Sequence, residues 1–293
     1  KLSKIYEFLR AGEPVIVSCD PTGSRTSPHT VTAIGIRNGA DPSNLTYADF
    51  LVADPADSTV KTLQELLENG IDTLLGPGMN LHRNPLNGRN FEYFSEDPYL
   101  TGKIAAAQLK GLHKSGTTGT IKHFACNNQE FHRTDIDAVV SERALRELYL
   151  KGFEIAVKEG GAYCIMSMYG AINGLWAASN YDLLTTILRE EWGYDGLVMS
   201  DWWAKGNEEG KESSKQEMAA MIRSQNDLYM VTDDSLTNTN HDNLPEVLEE
   251  ASENRKLTIG ELQRSAMNIC KVLMRMPVMK NAKNKKLAKN EQR

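Results

Sequence analysis

The stretch Gly196-Leu197-Val198-Met199-Ser200-Asp201-Trp202 decides how this chain is read. Leu197 to Met199 is a short, continuous apolar run, the pattern of a buried strand. If that strand is one of a closed set of parallel strands, Asp201 falls at its carboxyl end, where such barrels carry their chemistry. Trp202 and Trp203 follow directly. Aromatic faces pack on the C–H faces of sugar rings, so an acid beside two indoles points towards a carbohydrate. An aspartate here can also do no more than cap the next turn, and the segment alone leaves both readings open.

Outward from this strand the pattern repeats. Pro14 to Cys19 is a second buried strand and delivers Asp20 to its carboxyl end. Val31–Ile36, Phe50–Ala53, Asp72–Met79, Thr118–Phe124, Tyr163–Tyr169 and Asp227–Val231 read as further strands. Helices are expected over 2–12, 58–69, 100–114, 141–159, 181–192 and 258–276. Ser141 is placed to cap the fourth, and Thr258-Ile259-Gly260-Glu261 has capping-box spacing. Strand and helix alternate with a period near thirty residues, the signature of parallel β/α units closing into an α/β (β/α)8 TIM-type barrel. The polar stretches 81–98 and 125–140 are then long functional loops.

The 293 residues hold one such barrel, which takes about 250. With 39 acidic against 33 basic residues the net charge is −6, so no nucleic-acid partner is expected. No apolar run is long enough for a membrane span, and a soluble chain is expected. Cys19, Cys126, Cys164 and Cys270 lie far apart, none paired at metal-ligand spacing, and read as reduced packing residues without disulfides. With no signal-peptide pattern, the expected location is the cytoplasm. Residues 280–293 read as a basic, disordered tail after a barrel domain of residues 1–279.

Asp20, Arg89, Lys122, His123, Tyr169 and Asp201 all fall at or just beyond the carboxyl ends of expected strands. A barrel brings those ends to one mouth. Carboxylates accept, arginine and lysine donate and a neutral histidine does either, which suits a polyhydroxylated neutral ligand. There is no glycine-rich phosphate cradle and no ligand cluster at metal spacing, so neither cofactor nor metal is expected. Taken singly, each residue has an ordinary structural use: Lys122 in an interior ion pair, His123 as a satisfied core histidine, Arg89 as a loop staple. The shared mouth is what points to function.

Four blocks carry a resemblance: GPGMNLHRNPLNGRNFEYFSEDPYLTG (76–102), GTIKHFACNNQE (119–130), SERALRELYLKGFEIAVK (141–158) and GLVMSDWW (196–203). Together they resemble the barrel domain of family 3 glycoside hydrolases, in the β-glucosidase branch, from about residue 68 to residue 279. The resemblance implies that Asp201, in the S/T-D-W motif, is the nucleophile of a retaining mechanism. It implies that Arg89, Lys122, His123, Arg133, Met166, Tyr169 and Trp202 line the glucose-binding subsite. Asp20, in Cys19-Asp20-Pro21-Thr22-Gly23-Ser24-Arg25, resembles a one-residue-shorter form of the family's D-G-P-x-G-x-R, whose aspartate grips the distal hydroxyls.

Residues 26–67 do not resemble the family, so the second and third β/α units are expected to be irregular or modified. Retaining hydrolysis needs two carboxyl groups roughly 5 Å apart. In this branch the acid/base glutamate comes from an α/β sandwich domain. The ending of the chain is similar to the subgroup in which that domain precedes the barrel, so it is expected upstream of Lys1 or on a partner chain. The implied substrates are β-glucosides or gluco-oligosaccharides, and neighbouring arginine and lysine are expected to hold Asp201 ionised. Two alternatives stand beside this. One is a sugar-binding or scaffold barrel with little or no turnover. The other is a single-domain β-N-acetylglucosaminidase-like enzyme with a His132/Asp135 dyad, although Ala125-Cys126-Asn127-Asn128 replaces that branch's K-H-F-P-G-H-G continuation.

Overall fold

The computed structural model describes residues 73–115, 117–215, 217–230 and 257–276, and the backbone of four strands before them. Asp20, the expected helix at 2–12 and the tail 280–293 lie outside the described residues. The chain separates into two compact units: residues 1–76, 111–117 and 276–293, and residues 77–110 and 118–275.

In the first unit, β1 (Val15–Cys19), β2 (His29–Ile36), β3 (Phe50–Asp54) and β4 (Thr59–Thr62) form an antiparallel ladder in sequence order. Val17 pairs with Val31, and Val52 with Lys61. Two expectations are corrected here. The links 20–28 and 55–58 are too short for a helical crossover, which needs about a dozen residues. β1 with β2 and β3 with β4 therefore pair antiparallel, whereas the link 37–49 sets no such limit on β2 and β3. Residues 59–62, expected to begin a helix, are strand: Thr59, Val60 and Thr62 are β-branched and suit a pleated ladder better than a helical turn. β5 (Thr73–Leu74) closes this part of the sequence.

The second unit holds most of α1 (Pro98–Ser115), then β6 (Thr118–Phe124), β7 (Asp137–Ala138), α2 (Lys151–Lys158) and β8 (Cys164–Ser167). β9 (Ala171–Ile172), β10 (Leu175–Trp176), the π-wound α3 (Asp182–Glu191) and β11 (Leu197–Met199) follow. α4 (Met218–Arg223) and α5 (Ile259–Leu273) complete it. Local signals set the helix ends. Asp97 Oδ1 accepts from Leu100 N at 2.6 Å, ahead of Pro98 in the first helical position. Ser141 caps its helix through Ala144 N, and Thr258 and Glu261 form the expected capping box.

β6, β8 and β11 run parallel, with Ile121 beside Ile165 and Ile165 beside Val198. One residue on, Lys122, Met166 and Met199 are in register. Side chains alternate along a strand, so the first trio faces one side and the second the other. Ile121, Ile165 and Val198 join Leu109, Phe153, Leu184 and Leu188 in the main apolar core, whereas Met166 and Met199 stand outside that cluster. The helices thus cover one face, and the other is left for Lys122 and its neighbours.

The strand expected at 227–231 is, within the described residues, a single parallel bridge of Leu228 to Met199. Just before it, the Asp227 carboxylate takes Arg189 NH2 at 2.6 Å, Val198 N at 3.0 Å and Asn268 Nδ2 at 2.8 Å. These bonds tie β11 to α3 and α5. Cys126, Cys164 and Cys270 are free. No described helix is long and apolar enough to cross a membrane.

Candidate active site

Asp201 lies two residues beyond β11, where Ser200 N bonds Leu228 O and Asp201 N bonds Ser167 O. The backbone is therefore held from both sides at the point where the side chain leaves it. The residue is only 5% exposed. Its Oδ1 accepts from Trp202 N at 2.8 Å, and its Oδ2 stands 3.6 Å from His123 Nε2. The Tyr169 hydroxyl faces the same carboxylate. No lysine or arginine closes an ion pair on Asp201 among the described residues.

Burial pushes the Asp201 carboxyl up from its ordinary 3.8, and the Trp202 N–H, Arg89, Lys122 and Arg133, which pull it down, do not offset this. The cations thus limit the rise without bringing the carboxyl below its ordinary range. Burial also drives His123 well below 6.5, reinforced by Arg89, Lys122 and Arg133. The imidazole is therefore neutral. Arg89 NH1 lies 3.0 Å from Nε2, and a guanidinium can only donate, so Nε2 accepts and the proton sits on Nδ1, towards Tyr93 Oη at 3.5 Å. With Nε2 engaged in this way, His123 does not donate to Asp201.

The loops bring the remaining expected residues to the same place. The Asn80 side chain bonds the peptide N–H and carbonyl of His123 at 2.8 and 2.9 Å, which fixes the loop after β5 to the end of β6. Arg133, on the loop after β6, lays its guanidinium 4.9 Å from the centre of the Tyr169 ring. Lys122 and Met166 are adjacent on the face away from the helices. Trp202 is half-buried next to Asp201. Arg89, Lys122, His123, Tyr169 and Asp201 thus form one polar cluster, with Arg133, Met166 and Trp202 at its edge.

Residues not expected from sequence complete it. Glu92 binds Arg89 Nε at 2.8 Å and lies 3.1 Å from Lys122 Nζ. Burial alone would raise its carboxyl, but Lys122 and Arg89 hold it below the usual range. Glu130 accepts from Arg133 NH1 at 2.8 Å and Asn127 Nδ2 at 3.0 Å. Tyr93 Oη accepts from Asn127 Nδ2 at 3.0 Å. The signal for both acids was present in the sequence as opposite charges three residues apart, Arg89 with Glu92 and Glu130 with Arg133.

The His132/Asp135 dyad does not assemble. Asp135 Oδ1 takes Lys205 Nζ at 2.6 Å and Oδ2 takes Thr134 Oγ1 at 2.9 Å, while His132 packs against the Phe131 ring. Both residues are exposed. Among the described residues no group of His, Cys, Asp and Glu is arranged to hold a metal ion.

The sequence profile of the glycosyl hydrolase family 3 N terminal domain matches residues 10–272. A β-glucosidase of Ruminococcus albus is 57% identical over 210 residues, 72% of this chain and 22% of that protein. Among solved structures, a β-glucosidase from Paenibacillus barengoltzii is 60% identical with a TM-score of 0.69, covering 73% of this chain and 23% of that one. β-Glucosidase 3B from Thermotoga neapolitana, solved with α-D-glucose, is 44% identical with a TM-score of 0.65, covering 74% of this chain and 29% of that one. The chain spans about a quarter of the length of these relatives. The likeness extends to the fold: the parallel strands and their crossover helices belong to an α/β barrel of the (β/α)8 type.

Proposed function

The chain belongs to glycosyl hydrolase family 3, and from that premise we propose that residues 1–279 are the glucoside-binding barrel of a retaining β-glucosidase with Asp201 as nucleophile. The observation that carries this is the state of the Asp201 carboxylate. It is buried and held at Oδ1 by one backbone N–H, among cations that do not neutralise it by direct pairing. An acid in that condition can attack an anomeric carbon, and Arg89, Lys122 and Arg133 favour the charge it carries beforehand. Lys122 has three ammonium protons, one directed at Glu92, and can donate to sugar hydroxyls. Arg133, Met166, Tyr169 and Trp202 would form the walls of the glucose subsite, and Asp20 would grip the distal hydroxyls.

The acid/base is a separate matter. Glu92 cannot serve, because a carboxyl held below its usual range by two cations does not carry a proton to give. Glu130 is bonded to Arg133 and Asn127. Neither of these two described glutamates is suited to give a proton, and, as the resemblance implies, we propose that the donor is a glutamate on an α/β sandwich domain, in the same polypeptide or a partner. β-Glucosides or gluco-oligosaccharides are the proposed substrates.

Leaving-group dependence tests this directly. Dinitrophenolate departs without a proton, whereas a sugar alkoxide does not, and general-acid help is worth about 10²–10⁴-fold. The 293-residue chain should therefore turn over dinitrophenyl β-glucoside slowly and cellobiose scarcely at all. Restoring the additional length found in the relatives should raise the cellobiose rate far more than the dinitrophenyl rate. Rapid cellobiose cleavage by the 293-residue chain would place the acid within it and overturn the assignment.

A further inference from the structure

Glu92 is the point at which Arg89 and Lys122 meet. Its Oε2 accepts from Arg89 Nε at 2.8 Å, its Oε1 from Arg89 NH2 at 2.9 Å, and Lys122 Nζ lies 3.1 Å from Oε1. All three side chains are less than a fifth exposed. A forked guanidinium–carboxylate pair fixes direction as well as distance. With Nε and NH2 committed to Glu92, Arg89 turns NH1 to His123 Nε2.

A second observation is independent of charge. A Cβ added to Gly78 would lie 2.7 Å from Glu92 Oε1 and 2.8 Å from its Cγ. Glu92 thus occupies the space where residue 78 has no side chain. Gly78 is bridged to Lys122, with Lys122 N bonded to Pro77 O and Met79 N to Lys122 O. The segment that seats Glu92 is therefore the same one that fixes the backbone of Lys122. The φ of Gly78 is not in the left-handed region, so its need for glycine is one of room.

We infer that Glu92, seated over Gly78, is a positioning residue: it sets the spacing of Arg89 and Lys122 for a sugar at the mouth and, through Arg89 NH1, holds His123 in one tautomer. The identity of the sugar rests on the function proposed above; the tautomer does not.

The test uses the 293-residue chain and two variants, Glu92→Gln and Gly78→Ala, with two readouts. Nitrogen-15 NMR of the His123 ring reports the tautomer, and calorimetry reports glucose affinity. In the parent chain His123 should show a single Nδ1–H form. Both variants should show mixed tautomers and bind glucose about tenfold more weakly, as expected when a charge-assisted contact loses its geometry. Gly78→Ala should do so with every charge retained, and it carries the test if Glu92→Gln does not fold. An unchanged His123 tautomer and unchanged glucose affinity in folded variants would overturn the inference. Tautomer mixing in the variants, with no glucose binding by the parent chain, would uphold the positioning role and reject glucose as the ligand.

Discussion

Two buried aspartates flank β11, and they are used in opposite ways. Asp227 is bonded at both oxygens: Arg189 NH2 and Val198 N on Oδ2, Asn268 on Oδ1. Asp201, two residues past the carboxyl end of the strand, has a backbone N–H on Oδ1, a neutral imidazole 3.6 Å from Oδ2 and the uncharged Tyr169 hydroxyl facing it. Burial raises both carboxyl groups above their ordinary range. Depth does not distinguish them. What differs is whether a cation is locked onto the carboxylate, and that separates a structural acid from one available to react.

Exchanging each aspartate for its amide is the strongest way to break this comparison. Asp201→Asn should lower dinitrophenyl glucoside turnover on the order of 10³-fold or more, the scale seen when a nucleophile is removed. Its thermal midpoint should not fall, because Arg89 and Lys122 keep Glu92 as a counter-charge. Asp227→Asn should instead destabilise the fold by about 1–3 kcal/mol, read by denaturant unfolding, because both carboxylate oxygens accept and the amide turns an NH2 towards a buried donor. The upward shift of Asp227 already includes Arg189, so the cost expected here is one of hydrogen bonding and not of lost charge. A stable Asp227→Asn protein, or an unstable Asp201→Asn one, would erase the distinction.

Lys122→Ala gives a smaller effect, a loss of about 1–3 kcal/mol in glucose binding by calorimetry, as for one charge-assisted hydrogen bond. An unchanged affinity would mean the sugar is not held at this mouth.

The smallest effect is in pH. Because burial raises the Asp201 carboxyl, the folded protein binds a proton there that the unfolded chain has released, so ionising it costs stability as pH rises through that window. The acidic limb of kcat/KM should accordingly lie above the ordinary aspartate value of 3.8. Replacing Lys122, one of the groups pulling that carboxyl down, should move the limb to still higher pH. A limb that stays put would show that Lys122 exerts no field at the nucleophile.

The sequence made one of these aspartates legible and not the other. Asp201 stood out because Leu197–Met199 reads as a buried strand and Trp202 follows it. Asp227 sat at the start of an expected strand, and nothing local indicated that Arg189 and Asn268 would meet it, since those contacts span about forty residues. Glu92 was concealed within a polar loop, although its spacing from Arg89 was visible. At 59–62, β-branched residues outweighed a helical reading, and the short link before them produced antiparallel pairing with β3 where a β/α unit was expected. The direction of the Asp201 shift needed the fold itself, because burial cannot be counted along a chain.

The most direct measurement is to trap the nucleophile. Incubation with dinitrophenyl 2-deoxy-2-fluoro-β-glucoside forms the glycosyl-enzyme without needing a proton donor, and the fluorine slows its hydrolysis. Peptide mass spectrometry should then find one fluoroglucosyl group, on the peptide carrying Asp201, and none in the Asp201→Asn variant. A label on another carboxylate, or undiminished labelling of Asp201→Asn, would contradict the account.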